Sequence, residues 1–346
     1  MAMAGPVDHE DLTRILFGAS AFHLLHAGCE LGLFTRLSEE GPLTAEQVCA
    51  GLKLEPRAAQ ILLLGTTSLG LTVRRSHRYG NAELIDSMIS DGTWSIIEDI
   101  VRFEERIAMP AAADLVEALR QNTNVGLRRI PGEGDDLYHR LASQPELEAL
   151  FYRCMRSWSR LSNPVLVDRA ELGGVSRVLD VGGGDGVNAI ALAEANPGTS
   201  FTVVDMPGAL GIAERRIAER GLGDRISVRA GDIFADDFPT GHDCVLFANQ
   251  LVIWSPEQNA ALLRKAFDCL PPGGQVLIFN AFSEDTGDGP LYAALDNVYF
   301  ATLPAPDSIL YHWGQYEDWL RVAGFQRVER LPGETWTPHG VLRAWK

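Results

Sequence analysis

Carboxylates and glycines recur together in the second half of this chain. The run Val178-Leu179-Asp180-Val181-Gly182-Gly183-Gly184-Asp185-Gly186 closes one apolar segment, and a helical pattern opens near Asn188. Glycines at a strand-to-helix turn let a ligand come close to the backbone. Many nucleotide sites share such a run, so its charge is more telling. A dinucleotide turn must receive a pyrophosphate, and Asp180 and Asp185 oppose that. They suit a ligand that is cationic at this point, such as the ammonium and sulfonium of S-adenosylmethionine. Asp205 ends the next apolar segment, where a carboxylate can accept both hydroxyls of a ribose. Gly231-Asp232-Ile233 follows the third. There the acid can accept from an adenine amino group while Ile233 covers the ring. Pro271-Pro272-Gly273-Gly274 precedes the fifth. Any one of these aspartates could be a turn residue. Three at successive strand ends, beside a glycine turn, make a joint signal.

The elements that must position them alternate in type. Apolar runs at 177–181, 200–204, 226–229, 243–248 and 275–279 are separated by amphipathic stretches. That pattern predicts a parallel sheet with helices on both faces. The first half reads differently. Apolar residues recur at helical spacing over 11–37, with a break at Gly32. Thr44 and Gln47 form a capping box, a helix runs from near Pro56 to Leu69, and 70–79 reads as a two-stranded wing. Three helices and a wing make a winged-helix module. A DNA-reading third helix must be polar and basic outside. This one carries Ala-Ala-Gln-Ile-Leu-Leu-Leu-Gly and is made for packing, so dimerisation is the expectation. Residues 87–172 look mostly helical, with 122–136 a Gly- and Asn-rich loop or mobile hinge. The expected domains are 1–110, a dimerisation module; 111–170, a helical linker contributing to a substrate pocket; and 171–346, the cofactor domain.

Composition narrows the partners. The 346 residues are 46% hydrophobic and 22% charged, an ordinary globular mix. The formal charge of −16 repels phosphate backbones and anionic lipid, so neither nucleic acid nor membrane is expected. The five cysteines show no CxxC spacing, and no metal site is expected. Residues 1–10 carry acids and no apolar run, which argues against a signal peptide and for a cytoplasmic protein.

The DVGGGDG turn, VVDMPG, AGDIF and LPPGG together resemble a class I S-adenosylmethionine-dependent methyltransferase. With GPLTAEQVCAGL and the apolar third helix, the chain is similar to the small-molecule O-methyltransferases typified by the caffeic acid and hydroxyindole enzymes. The resemblance implies an α/β fold: a Rossmann-like sheet of seven strands, the last antiparallel, with an N-terminal winged-helix dimerisation domain. It also implies a domain-exchanged homodimer whose N-terminal helices help line the partner's pocket. It assigns S-adenosylmethionine to Ser159, Gly182, Gly184, Asp205, Asp232, Ile233 and Asn249. Phe151, Met155 and Ser159, at steps of four, share one helical face. Phe151 and Met155 fall on the substrate side, with Val298, Tyr299 and Leu303 on a second helix. One part is missing. Relatives carry a catalytic His in a His-Asp-Trp triplet, and Val252-Ile253-Trp254 stands there. The two acidic partners of that His fall on Asn280 and Leu310. His312 is the first choice for a substitute base, ahead of His139, His23 and His26. The expected reaction is methyl transfer to a small aromatic, phenolic metabolite, with oxygen slightly favoured as acceptor. The alternatives are methylation of a phenolic ring carbon and a cofactor-binding homologue without methyl transfer. A nicotinamide-dependent dehydrogenase is the rival enzyme class, disfavoured by the acidic turn.

Overall fold

The computed structural model describes residues 7–335 and 337–346, so residues 1–6 of the acidic N-terminal stretch lie outside it. The chain divides into two compact units, Met1–Glu105 and Arg106–Lys346. Segment 111–170, read from the sequence as a separate linker, belongs to the second unit.

The first unit is helical with a small sheet. Helices His9–Leu16, Gly18–Glu30 and Leu33–Glu40 come first. The chain breaks at Phe17 as well as near Gly32, which itself sits in the left-handed region. Gly18 follows Phe17 and weakens the helix there. Strand β1 (Leu43–Thr44), then β2 (Thr72–Arg75) and β3 (Arg78–Asn81), form an antiparallel sheet ordered β1-β3-β2. Between them lie helices Ala45–Leu52 and Pro56–Ser68. The Thr44 capping box forms as the sequence implies: Gln47 N donates to Thr44 Oγ1, and Thr44 N donates to the Gln47 amide oxygen. Leu33, Leu37, Leu43, Val48, Leu62 and Leu63 make the core beneath this wing. Helix Pro56–Ser68 buries Leu62 and Leu63 but leaves Ile61 and Leu64 exposed in the single chain, as are Leu12, Ile15, Leu16 and Phe17.

The second unit holds the large sheet. Its strands are β4 (Arg177–Val181), β5 (Ser200–Asp205), β6 (Ile226–Ala230), β7 (Cys244–Ala248), β8 (Gln275–Ala281), β9 (Arg327–Pro332) and β10 (His339–Trp345). They lie in the order β6-β5-β4-β7-β8-β10-β9. β10 is antiparallel to β8 and to β9, and the β6-to-β8 stretch is parallel. Alternate residues of each strand face opposite ways, and both faces are covered. Val178, Phe201, Val203, Leu246 and Phe279 pack under helices Val187–Ala195, Pro207–Glu219 and the end of Pro145–Ala170. Leu179, Val245, Phe247, Val276 and Ile278 pack under Pro256–Cys269 and Trp313–Ala323. That double burial is why the central strands read as unbroken apolar runs.

The sequence reading of 122–136 as a hinge is corrected. Val125–Arg129 is a short 3-10 helix, and Arg128 and Arg129 both clamp the buried Asp114 carboxylate at 2.7–3.1 Å. Asn124 Nδ2 donates to the carbonyls of Asp135 and Leu303. The segment is tied down at both ends.

Candidate active site

The glycine turn begins where β4 ends. Gly182, Gly184 and Gly186 all take positive φ, at 68°, 57° and 75°. Side chains are excluded at two positions besides. A Cβ on Gly182 would lie 2.5 Å from the Gln250 amide, and one on Gly183 would lie 2.5 Å from Asp180 Oδ2. The turn is fastened sideways to β5. Gly182 N donates to Val204 O at 2.8 Å, and Gly184 N donates to Asp205 Oδ2 at 2.8 Å. Met206 N supplies Asp205 Oδ1 at 2.7 Å. A carboxylate has about four acceptor directions, so Asp205 keeps room for two further donors.

Asp180 is the electrostatic oddity. It is fully buried, and neither carboxylate oxygen has a hydrogen-bond partner in the protein. Burial, then the charge of Asp205, push its carboxyl up to about 7. Burial also raises Asp205, against the pull of its two backbone donors. Asp185 does not contribute the negative charge expected of it: Arg216 Nη1 lies 2.6 Å and Arg156 Nε 3.3 Å from its Oδ2. The uncompensated acids are therefore Asp180 and Asp205, on adjacent strands. Asp232, after β6, spends Oδ1 on the backbone N–H groups of Phe234 and Ala235 and leaves the exposed side chain's other oxygen open. Ile233 is half-buried beside it. Asn249, at the end of β7, takes φ 55° and donates its N–H to Phe279 O at 2.7 Å.

Opposite stand two helices. On Pro145–Ala170, Phe151 and Ser159 are buried and Met155 half-buried. Phe151 meets Tyr138 edge-on at 5.7 Å, and Trp158 meets Tyr292 edge-on at 5.7 Å. Helix Leu291–Thr302 brings Tyr292, Val298 and Tyr299, all half-buried, and Leu303 just beyond it. Leu303 has no accessible surface, so its side chain packs inside the unit and presents nothing to a ligand. Val252, Ile253, Ala281, Ala293, Phe300, Ala305 and Leu310 form one apolar cluster, edged by Tyr138, Trp254, Tyr292 and Tyr299. Where the resemblance would put a base and two acids, the structure has packed hydrocarbon at Val252 and Leu310. Asn280 is buried and donates Nδ2 to Tyr316 Oη at 3.1 Å.

His312 caps helix Trp313–Ala323 through its Nδ1. Its Nδ1 is 3.0 Å from Asp285 Oδ1 and 3.3 Å from the backbone N of Gln315. One nitrogen cannot donate to the first and accept from the second, and the shorter contact makes it a donor to Asp285. Either role engages Nδ1 and leaves the ring's Nε2 outside these contacts. Sequence reasoning missed Tyr138 and Tyr292 at the edge of this cluster, and Tyr316 behind it. A Tyr every few positions beside an apolar run was the only available signal.

A model of the O-methyltransferase domain matches residues 113–326, and one of the O-methyltransferase dimerisation domain matches 13–91. The chain belongs to the S-adenosylmethionine-dependent O-methyltransferase family. It is 50% identical over 343 residues to an L-tyrosine C(3)-methyltransferase of Streptomyces lavendulae, covering 99% of this chain and 94% of that one. It is 33% identical to a 3-hydroxy-5-methyl-1-naphthoate 3-O-methyltransferase of Streptomyces sahachiroi, covering 97% and 94%. The crystal structure of the S-adenosylmethionine-dependent methyltransferase SibL, in its apo form, superposes with a TM-score of 0.89 at 55% identity, covering 98% and 99%. This methyltransferase uses S-adenosylmethionine. No helix among its described residues is long and apolar enough to cross a membrane.

The residues present fit that cofactor. Two acids at the turn, Asp180 with orphaned oxygens beneath it and the half-buried Asp205 beside it, have no cation near them among the described residues, so the field at the turn favours a cationic ligand. Asp205 would take the ribose, Asp232 and Ile233 the adenine, and Ser159, Gly182, Gly184 and Asn249 the remaining polar edge. A pH dependence follows. A carboxyl raised on folding holds a proton that the unfolded chain, at about pKa 3.9, has already lost. Stability of the ligand-free chain then falls as pH rises from about 4 to about 7. Urea midpoints should drop across that window, and Asp180→Asn should flatten part of the slope. An unchanged slope in the variant removes Asp180 as its source.

Proposed function

We propose that this methyltransferase places the methyl group on a ring carbon ortho to the hydroxyl of a free phenolic amino acid of the L-tyrosine type, acting as a homodimer. The observation that carries the reading is the 50% identity, across nearly the whole chain, to an enzyme that methylates C(3) of L-tyrosine. The site's chemistry agrees. The ortho carbon of a phenolate is itself nucleophilic, so the acceptor need not be oxygen. Val252 and Leu310 leave apolar wall where an oxygen-methylating relative would hold its base. Tyr138, Trp254, Tyr292 and Tyr299 offer flat faces to an aromatic ring. Reading from the sequence alone placed oxygen slightly ahead; the tyrosine enzyme's likeness moves the balance to carbon.

Bound S-adenosylmethionine supplies an electrophilic methyl group whose sulfur keeps the bonding electrons. The chain's part is to hold the ring in line and keep water out. Such positioning lowers a barrier by about 7–11 kcal/mol. The homodimer rests on the match to the dimerisation domain and on the bare apolar residues Leu12, Ile15, Leu16, Ile61 and Leu64. L-tyrosine and the cofactor labelled with carbon-13 in its methyl group provide the test. The product should show the labelled methyl on a ring carbon and one ortho proton gone, and the protein should sediment as two chains. An O-methyl product, or no product, defeats the ring reading; a monomer defeats the dimer.

A further inference from the structure

We propose that Asp296 is the proton acceptor for the substrate's phenol hydroxyl, a base carried on the substrate helix in place of the one Val252 cannot supply. The inference rests on the phenolic substrate proposed above. Three observations place the carboxylate. Helix Leu291–Thr302 turns Tyr292, Asp296 and Tyr299 to one side, because steps of four and seven return to the same face. Tyr292 and Tyr299 edge the apolar cluster of Val252, so that face looks onto the vacant base position. The helix is also pinned there. Leu310 N donates to Asn297 Oδ1 at 2.7 Å, and Ile309 N donates to Val252 O at 3.1 Å. On the other flank, Trp158 of the Met155 helix packs on Tyr292. Asp296 is thus held between the helix that faces the cofactor turn and the segment that lacks its histidine.

Its electrical setting suits the task. Asp296 is half-buried, and burial pushes its carboxyl up to about 7, moderated by a hydrogen bond from Tyr292 on the same helix. No charged group contributes to that titration. The neighbours with ionisable side chains in the adjoining cluster are Tyr138 and Tyr299 besides Tyr292, and Tyr138 is pushed far above neutrality. The other acid raised to about 7, Asp180, is fully buried beneath the glycine turn and has no accessible surface. A base with an affinity for protons near the working pH is the most effective kind.

The proton balance closes. Asp296 takes the proton from the phenol O–H, leaving a phenolate. The ortho carbon forms its bond to the methyl group as the carbon–sulfur bond breaks, and the sulfur keeps that pair. The hydrogen on the methylated carbon then leaves to water as a proton, and Asp296 returns its proton to the oxygen. One proton is released per turnover, and Asp296 ends ionised.

Asp296→Asn in the full chain, assayed with L-tyrosine, tests the role. We expect kcat to fall by about 10²–10⁴-fold and the rise in rate through about pH 7 to vanish. Calorimetric affinity for S-adenosylhomocysteine should stay unchanged, showing an intact site. An L-tyrosine analogue with fluorine on one ortho carbon and the other left open has a more acidic phenol. It should recover at least about tenfold of the variant's deficit, since less of the proton transfer is left to the protein. A purely structural loss would be the same for both substrates, and that result overturns the proposal. So does a raised KM with kcat intact, which would make Asp296 an anchor for the amino group. The position of the methyl group in the wild-type product is read separately. If it sits on oxygen, the ring reading fails, while the rate and rescue data on that same phenol still decide the role of Asp296.

Discussion

Asp205→Ala should cost this methyltransferase most of its hold on the cofactor. The carboxylate stands at the end of β5 with two acceptor directions unused, in a setting that burial has made poor in solvent. Hydrogen bonds to a charged group contribute about 1.5–3 kcal/mol each. Losing two ribose contacts therefore amounts to about 3–6 kcal/mol, or an affinity for S-adenosylhomocysteine weaker by about 10²–10⁴-fold. The alanine also releases the N–H groups of Gly184 and Met206, so the turn loosens as the ligand leaves. Asp205→Asn separates the two effects, because an amide still offers one acceptor oxygen to the turn. Calorimetry on both variants measures this. An alanine variant that binds within about threefold of the parent would take Asp205 out of the cofactor site.

The second large effect is steric. Gly183→Val should unfold the turn and with it the cofactor site. A Cβ alone would come within 2.5 Å of Asp180 Oδ2 and 2.9 Å of Val203 Cγ1. Neither can retreat: Asp180 and Val203 have no accessible surface and belong to central strands. Overpacking a filled core costs about 1–3 kcal/mol even for small additions. The branched side chain exceeds that range, and the loss appears as a lower denaturation midpoint together with lost S-adenosylhomocysteine binding. Gly183→Ala should show the same direction at smaller size. A normal midpoint and normal affinity in both variants would mean that the turn has more room than its geometry shows.

The features readable beforehand share a cause. Strands buried on both faces must be apolar without interruption, so β4, β5, β7 and β8 stand out in any reading. The glycines of the turn stand out because no other residue fits. What stayed hidden depends on partners far away in the chain. Segment 122–136 has the composition of a hinge, and Asp114, Arg140 and Leu303 tie it down. His312 has the chemistry of a base, and only the fold shows its Nδ1 held by Asp285. Asp296 looks like one more polar residue on a helix, since nothing in its neighbours announces that the helix face is turned inward. Phe17 interrupts a pattern that periodicity carries straight through.

The tyrosines around the vacant base position bear on how such an enzyme acquires new chemistry. Tyr316 Oη donates to Leu251 O, and Tyr311 Oη shares its one proton between the carbonyls of Trp254 at 2.9 Å and Asp307 at 3.0 Å. Asn259 Nδ2 also reaches the carbonyls of Leu251 and Trp254. The main chain of 251–254 is therefore stapled through its carbonyls as well as by the packing of Val252 and Ile253. The carbonyl staples do not depend on which side chain stands at 252, so a residue of similar volume can replace another there while the ribbon keeps its course.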